Sequence, residues 1–200
     1  MLVLAAPPGG GKTTITRELL KKYPDAMVSV SYTTRDKRPG EVEGEHYHFI
    51  DEATFQLMID NGEMLEYAMV YNHHLYGTPR APVEKALSEG RDVMFDIDWQ
   101  GHLKLKSMAE MDVVSVFILP PDFATLDKRM HDRGRDSEAD IQQRLKKVKD
   151  EISHYKEFQY IVINSDLDEA VNRVKMILEA ERLKIRRLTN INEFVDALHA

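Results

Sequence analysis

The chain has no cysteine, and this absence excludes disulfide bonds, thiolate catalysis and cysteine-ligated metal sites. It also lacks any apolar run near the roughly 18 residues that cross a bilayer as a helix. The opening MLVLAA is apolar, but no basic segment precedes it and it is too short for the apolar part of a signal peptide. We therefore expect a cytoplasmic protein with no membrane partner.

The chain also lacks an excess of basic residues, with 27 Lys and Arg against 34 Asp and Glu. The 200 residues carry a net charge of −7, with 42% hydrophobic and 30% charged side chains. Nucleic acids and anionic membrane surfaces select proteins with a basic excess, so the composition indicates a globular domain without a nucleic-acid partner. A local basic cluster could still bind a phosphorylated small molecule.

Short apolar segments alternate along the chain with segments of helical periodicity. The predicted strands are 1–6, 27–31, 47–50, 63–71, 92–98, 113–119 and 160–163. The predicted helices are 13–23, 51–60, 82–89, a segment ending near 108, 123–131, 141–155 and 167–178. This alternation predicts an α/β fold whose parallel sheet is covered by helices on both faces.

The polar segment 32–80 departs from this alternation. It is poor in core-type strands and contains the turn-rich stretches TTRDKRPGEVEG and NHHLYGT, which we interpret as loops. We therefore predict that it is an insertion into the α/β core. The tail NINEFVDALHA is predicted to form a short amphipathic helix that packs on the body of the protein or on a second subunit.

The first motif with chemical content is APPGGGKTT, Ala6 to Thr14. It joins a predicted strand to a predicted helix, the context in which backbone N–H groups and a helix N-terminus hold phosphate. Lys12 would reach the β- and γ-phosphates of a nucleotide, and Thr13 would bind Mg²⁺. Ala6 replaces the usual first glycine, and Pro8 removes one N–H. A motor, a GTPase and a kinase remain open on this motif alone, and a surface turn is the alternative.

Two further motifs point to a second anion and to a metal. In SYTTRDKRPGE, Arg35 and Arg38 could converge on a phosphate monoester, although a solvated basic turn is an equal alternative. In DIDWQG, Asp96 and Asp98 end a buried strand, where a carboxylate suits the shell of Mg²⁺. Two carboxylates two residues apart could share one site; the alternative is a helix cap and a salt-bridge partner.

A basic cluster surrounds a predicted helix break in KRMHDRGRDSEADIQQR. Its arginines are Arg129, Arg133, Arg135 and Arg144. Arg144 stands at the border of an apolar helical stripe, so it could point inward across a cleft. Arginines on a mobile segment are what phosphoryl transfer needs, because charge spreads over the oxygens of the transferred group. An ordinary charged helical hairpin is the alternative.

Together these motifs resemble the bacterial-type guanylate kinases. APPGGGKTT, SYTTRDKRPGE, GEHYHF, EMLEYA, LYGT, DIDWQG, FILPP, RGRDSE and YIVINSDLD carry the resemblance over about 1–185. It implies a three-layer P-loop NTPase fold with a central parallel sheet. The implied divisions are a core of 1–31, 81–125 and 153–188, a GMP-binding insertion 32–80, a helical lid 126–152 and a tail 189–200. The implied reaction is Mg²⁺-dependent phosphoryl transfer from ATP, the co-substrate, to GMP or dGMP.

The resemblance also implies roles for individual residues. The residues implied to bind ATP are Pro8, Gly9, Gly10, Gly11, Lys12, Thr13, Thr14 and Asn164. Those implied to bind the GMP phosphate are Arg35, Arg38, Tyr47 and Tyr76, and those implied to contact guanine are Ser31, Glu66, Thr78 and Asp98. The implied catalytic residues are Lys12, Arg133 and Arg144. Thr13 would bind the metal directly, and Asp96 would stand in its shell.

The chain departs from the family pattern at three places. One is Ala6, although alanine at this position is familiar in bacterial members. Pro8 stands where a serine is usual, and the stretch NHHL between Glu66 and Tyr76 is one residue longer. Two other functions stay open: a non-catalytic scaffold that binds phosphorylated peptides, and a kinase that acts on a phosphorylated ribose. Intact Lys12 and Thr13 argue against the scaffold, and Glu66 with Asp98 favours a base over a bare ribose.

Overall fold

The computed structural model describes residues 1–70, 74–132 and 138–199, apart from the side chain of residue 140. The strands in chain order are β1 (Leu2–Ala5), β2 (Met27–Ser29), β3 (Tyr32–Thr33), β4 (His48–Phe49), β5 (Met64–Val70), β6 (His74–Pro79), β7 (Val93–Asp96), β8 (Val114–Leu119) and β9 (Tyr160–Ile163). The α-helices are α1 (Lys12–Lys22), α2 (Glu52–Asp60), α3 (Arg80–Ser88), α4 (Trp99–Ala109), α5 (Phe123–Asp132), α6 (Glu138–Ser153), α7 (Leu167–Arg182) and α8 (Ile191–Leu198).

Five strands form the central sheet in the order β2-β7-β1-β8-β9, and every pairing in it is parallel. Successive side chains of β1 point to opposite faces, as the two-residue period of a strand requires. Leu2 and Leu4 pack with α1 and α7 on one face, and Val3 and Ala5 pack with α3 and α4 on the other. The expected three-layer α/β arrangement is therefore confirmed.

The segment predicted to be an insertion forms a second sheet of four strands in the order β4-β3-β6-β5. The sequence interpretation of 74–78 as loop was wrong, because β6 runs through these residues and pairs antiparallel with β5. It was also wrong at β3, which pairs with both β4 and β6. Gly77 weakened the strand signal. A Cβ there would lie 2.9 Å from the Phe55 ring of α2, so the glycine marks close packing of the sheet against this helix rather than a turn.

The two helices α5 and α6 form a hairpin with a small apolar core of its own. Leu126 and Met130 of α5 pack with Ile141 and Val148 of α6. The predicted stripe ends earlier than expected, since α6 stops at Ser153 and a 3₁₀ turn follows at His154–Glu157. The expected helix break at 133–136 and two residues of the longer stretch, 72 and 73, lie outside the described residues.

The predicted amphipathic tail helix is confirmed as α8, but its large apolar side chains are not buried on the described chain. Phe194 is 62% exposed and Leu198 is 71% exposed. None of the helices in the described ranges is long and apolar enough to cross a membrane.

Phe55 supplies the stability test of the insertion, because it is the buried residue of α2 and is 0% exposed. We expect Phe55→Ala to lower the free energy of unfolding by about 3–5 kcal/mol, through lost burial and the cavity left beside Gly77. Urea denaturation measures the change. Leu57→Ala is the control on the same helix, since Leu57 is 59% exposed; equal losses in the two variants would contradict the packing described.

Candidate active site

A cleft of about 1320 Å³ opens at the carboxyl ends of the parallel strands, where open α/β sheets bind ligands. Its walls come from the loop after β1, the second sheet, the start of α4 and the hairpin α5–α6. All described residues that the sequence analysis assigned to the site line this cleft, except Thr78, which is buried and donates to Glu66. Arg133 lies outside the described residues, so the role expected of it stays a prediction.

The loop after β1 begins with a tight turn that accommodates Pro8. The Gly10 N–H donates to the Pro7 carbonyl at 2.9 Å, which places Pro8 and Gly9 at the two central positions. In a type II turn, proline is favoured at the first central position, and the residue at the second central position needs a positive φ. Gly9 has φ 77°. Pro8 therefore stands where its missing N–H costs the turn nothing.

The strand-end carboxylate of Asp96 binds both functional side chains at the start of α1. Lys12 Nζ lies 2.6 Å from Asp96 Oδ1 and also donates to the Ile97 carbonyl at 3.1 Å. The Thr13 hydroxyl donates to Asp96 Oδ2 at 3.1 Å. The hydroxyl and carboxylate oxygens are hard ligands of the kind that Mg²⁺ prefers. The described residues hold no cluster of three metal-ligating side chains, so an ion here would take most of its ligands from phosphates and water.

Asp96 and Asp98 line the same cleft but do not share partners. Asp98 caps α4, because its Oδ1 accepts the Gly101 N–H at 3.0 Å. Its Oδ2 accepts the Gln100 side-chain amide at 3.2 Å. A salt-bridge partner and a helix cap, the alternative given above, thus describe the bonds of the two carboxylates in this structure, while both side chains line one cleft. A strand ends between them, so their surroundings differ.

A buried guanidinium forms the second cationic centre of the cleft. Arg35 is 6% exposed and binds the Glu41 carboxylate through two N–H groups, at 2.7 and 2.6 Å. Its Nε donates to the Tyr76 hydroxyl at 3.1 Å, and its guanidinium lies 5.0 Å from the centre of the Tyr47 ring. Burial alone would raise the pKa of Glu41, but the bonds from Arg35 and from the Arg38 backbone N–H lower it.

Glu41 was missed by the sequence analysis, although a signal for it was present. It follows two arginines in a proline- and glycine-containing turn, and a carboxylate there can bind an arginine in bidentate fashion. Charge pattern alone does not separate such a residue from a solvated one. Its side chain is only 8% exposed in the pair with Arg35, so burial distinguishes it.

Glu66 forms the floor of the cleft beside α4. It is 5% exposed, and its Oε1 accepts the Thr78 hydroxyl at 2.6 Å. A Cβ at position 101 would lie 2.7 Å from Glu66 Oε2, so Gly101 lets α4 approach the carboxyl. Burial raises the pKa of Glu66 from near 4.5 to about 7, with the charge of Asp98 adding to the rise and the Thr78 bond opposing it.

Asn164 supports the phosphate loop from the side of β9. Its side-chain Nδ2 donates to the Gly10 carbonyl at 2.9 Å, and its backbone carbonyl accepts a hydrogen bond from Arg129 Nη2 at 3.0 Å. The resemblance implied a role for Asn164 in ATP binding; in this structure its amide holds the loop. Arg129, noted in the basic cluster without an assigned role, thereby ties α5 to the loop and sheet.

The fold and these contacts define a P-loop protein whose phosphate loop faces a second cationic and hydroxyl cluster across one cleft. Within that class, the chain belongs to the guanylate kinase family, because the family model described as guanylate kinase matches residues 1–181.

Curated relatives and a solved structure agree with this membership. The chain is 52% identical to the guanylate kinase of Nitrobacter winogradskyi, over 99% of this chain and 90% of the relative. It is 53% identical to that of Rhodopseudomonas palustris strain BisB18, over 98% of this chain and 89% of the relative. The crystal structure of guanylate kinase from Anaplasma phagocytophilum matches with a TM-score of 0.83 and 36% identity, over 98% of this chain and 93% of that one.

The raised pKa of Glu66 predicts a pH-dependent stability difference. The folded carboxyl keeps its proton up to about pH 7, whereas the unfolded one loses it near pH 4.5, so this group destabilises the fold as pH rises between these values. Glu66→Gln mimics the protonated form. The free energy of unfolding of Glu66→Gln, minus that of the wild type, should therefore be about 2–3 kcal/mol larger at pH 8 than at pH 5.

Urea denaturation at the two pH values measures this gain. Glu110→Gln is the matched control, because Glu110 is exposed at the end of α4 and should show no comparable change. A difference between Glu66→Gln and the wild type that stays constant with pH would show that the Glu66 carboxyl titrates normally.

Proposed function

We propose that the protein transfers the γ-phosphoryl group of ATP to GMP and dGMP, giving ADP and GDP or dGDP. The proposal rests on the two ends of the cleft, which carry different chemical groups. One end has a P-loop with Lys12 and Thr13, and the other has the buried carboxyl of Glu66, bonded to Thr78. None of the proposed contacts involves the ribose 2′ position. The division into core, GMP-binding insertion and lid, and the cytoplasmic location, belong to the same proposal.

The ATP end is supported by the geometry of the loop that opens α1. Gly11 has φ 97° and caps α1 without a capping side chain, so the first N–H groups of the helix are available to an anion. Lys12 is held at the same point by Asp96. A bound polyphosphate would replace Asp96 as the anionic partner of Lys12. Until then, the bond to Asp96 holds the ammonium group near the place where the phosphates would bind.

Thr13 and Asp96 would hold Mg²⁺ at this end, because the Thr13 hydroxyl and the Asp96 carboxylate lie side by side, 3.1 Å apart, at the start of α1. When bound, the ion would neutralise charge on the phosphate oxygens. Thr13 would ligate it directly and Asp96 through its hydration shell.

The phosphate of GMP would bind at the Arg35 centre. Arg35 is already oriented by Glu41 and Tyr76, so little side-chain entropy would be lost when the acceptor binds. Arg38 and Tyr47 line the same part of the cleft. The role of Glu41 would be to hold the guanidinium at a fixed angle.

Guanine would be read by Glu66, Thr78, Asp98 and Ser31. Guanine offers N1–H and a 2-amino group to a carboxylate, whereas adenine has no N1 proton and no 2-amino group. A buried site built to hydrogen-bond such groups rejects an analogue that lacks them by about 10⁴–10⁵. Glu66 meets this requirement because it is buried and has a fixed partner in Thr78.

The transfer itself needs positioning and charge neutralisation more than proton chemistry. The acceptor oxygen of GMP is already anionic, so no general base is required. Lys12, Arg133 and Arg144 would neutralise charge on the phosphoryl group during its transfer. Closure of the hairpin α5–α6 would exclude water and suppress hydrolysis of ATP.

Lys12→Ala tests the phosphate end. We expect kcat for GMP phosphorylation to fall by at least about 10²–10³, because a charge that stabilises the transition state is lost. A coupled assay of ADP formation measures it, and circular dichroism checks that the fold is intact. Lys21→Ala, on the same helix with a side chain 69% exposed, should keep full activity. Near-wild-type turnover by Lys12→Ala would refute the assignment.

A panel of acceptors tests the guanine end and the two other functions that the sequence left open. With ATP and Mg²⁺, we expect GMP and dGMP to be phosphorylated, and AMP, UMP and ribose bisphosphate to react at least about 10⁴-fold less efficiently. The same coupled assay measures all five. Equal rates with AMP and GMP would refute the role of Glu66, reaction with ribose bisphosphate alone would favour the sugar kinase, and no reaction at all would favour the scaffold.

A further inference from the structure

The only tryptophan of the chain stacks on a histidine at the base of the helical hairpin. The rings of Trp99 and His154 lie with centroids 3.5 Å apart and planes 8° apart. Trp99 is the first residue of α4, directly after Asp98, and His154 directly follows α6. The stack therefore joins the guanine end of the cleft to the base of α6, and none of the roles assigned above uses it.

Two more residues of α4 strengthen this joint. His102 Nε2 lies 3.1 Å from the Glu157 carbonyl, and its ring stacks on Phe158 at 4.2 Å. Lys106 Nζ donates to the Glu157 carbonyl at 3.4 Å. Positions 99, 102 and 106 share one face of a helix, because they are three and four residues apart. One face of α4 thus fixes the segment from which α6 extends.

The opposite side of the first turn of α4 touches the guanine pocket. Gly101 lies against Glu66, and the Gln100 amide donates to the Met69 carbonyl of β5 at 3.4 Å. Asp98 caps the same turn. A single short helix therefore contacts both the base-reading carboxyls and the base of the hairpin.

The length of α6 makes the joint important for the reaction. Arg144 lies ten positions before His154, which is about 15 Å along a helix that rises about 1.5 Å per residue. A tilt of about 10° at the base would then move Arg144 by about 2.6 Å. A functional group needs to be held within about 0.5 Å, so the base of α6 must be held rigidly for Arg144 to reach the transferred group.

We propose that Trp99 and His154 are positioning residues for phosphoryl transfer. Their stack holds the base of α6 as a fixed pivot beside the guanine pocket, so that closure of the hairpin brings Arg144 to the phosphoryl group when GMP is in place. The contact is between flat rings, so a flat apolar ring at position 154 can replace the imidazole, whereas a methyl group cannot. The inference rests on the proposed GMP kinase activity.

Two substitutions at His154 test the role by kinetics. We expect His154→Ala to lower kcat by about 100-fold, the usual cost of a misplacement near 1 Å. KM for GMP should change by less than about threefold, because the residues that contact GMP are untouched. His154→Phe should restore kcat to within about threefold, since it keeps a stacked ring. Tyr155→Ala is the matched control, because Tyr155 is the next residue and is 37% exposed.

The tryptophan emission gives a readout that a general loss of stability would not move. In the protein without nucleotide, His154→Ala should change the emission of Trp99, while Tyr155→Ala should leave it unchanged. Urea denaturation of each variant confirms that it is folded under the assay conditions.

Several results would overturn the inference. They are an unchanged kcat in His154→Ala, a fall in kcat that His154→Phe does not reverse, and an emission spectrum of His154→Ala equal to that of the wild type. A wild-type protein inactive on GMP would instead overturn the proposed function. An active wild type with a fully active His154→Ala would overturn only the positioning role.

Discussion

Asn164 lies so close to Gly11 that a Cβ on Gly11 would come within 2.2 Å of its amide nitrogen. This close packing shapes the cleft, because Asn164 also binds the Gly10 carbonyl and Arg129. The phosphate loop is thereby pressed between β9, α5 and the strand end at Asp96. The packing of Asn164 against Gly11 sets where the loop enters α1, and the backbone carbonyl of Asn164 holds α5 through Arg129.

The cleft holds its cations in ready-made ion pairs. Lys12 is bound by Asp96 and Arg35 by Glu41, in a chain whose net charge is −7. A buried or half-buried cation without a partner would destabilise the fold by several kcal/mol. In the absence of nucleotide, each carboxylate offsets this loss by pairing with its cation. The same carboxylates fix the direction of each cation. In the proposed function, phosphate binding would be an exchange of anionic partners that requires little rearrangement of side chains.

Helical periodicity predicted the helices well, because the apolar stripe of each helix is a local property of the sequence. The strands of the central sheet were also predicted, since buried parallel strands are continuous apolar runs. β3 and β6 were not, because both are stabilised by pairing within the second sheet and β6 contains a glycine. Asp98 illustrates the same limit at the site: its capping bond to Gly101 depends on where α4 begins.

The α/β class, the phosphate loop and the residue types that gather in the cleft could all be predicted from the sequence, because they depend on periodicity and on motifs of fixed spacing. The pairing of each carboxylate with its cation, the fit of Pro8 in its turn and the contact of Trp99 with His154 could not be predicted and are set by tertiary packing. These features join residues far apart in the chain, as between Trp99 of α4 and His154 beyond α6. Burial and distance decide them, and neither is a property of a local stretch of sequence.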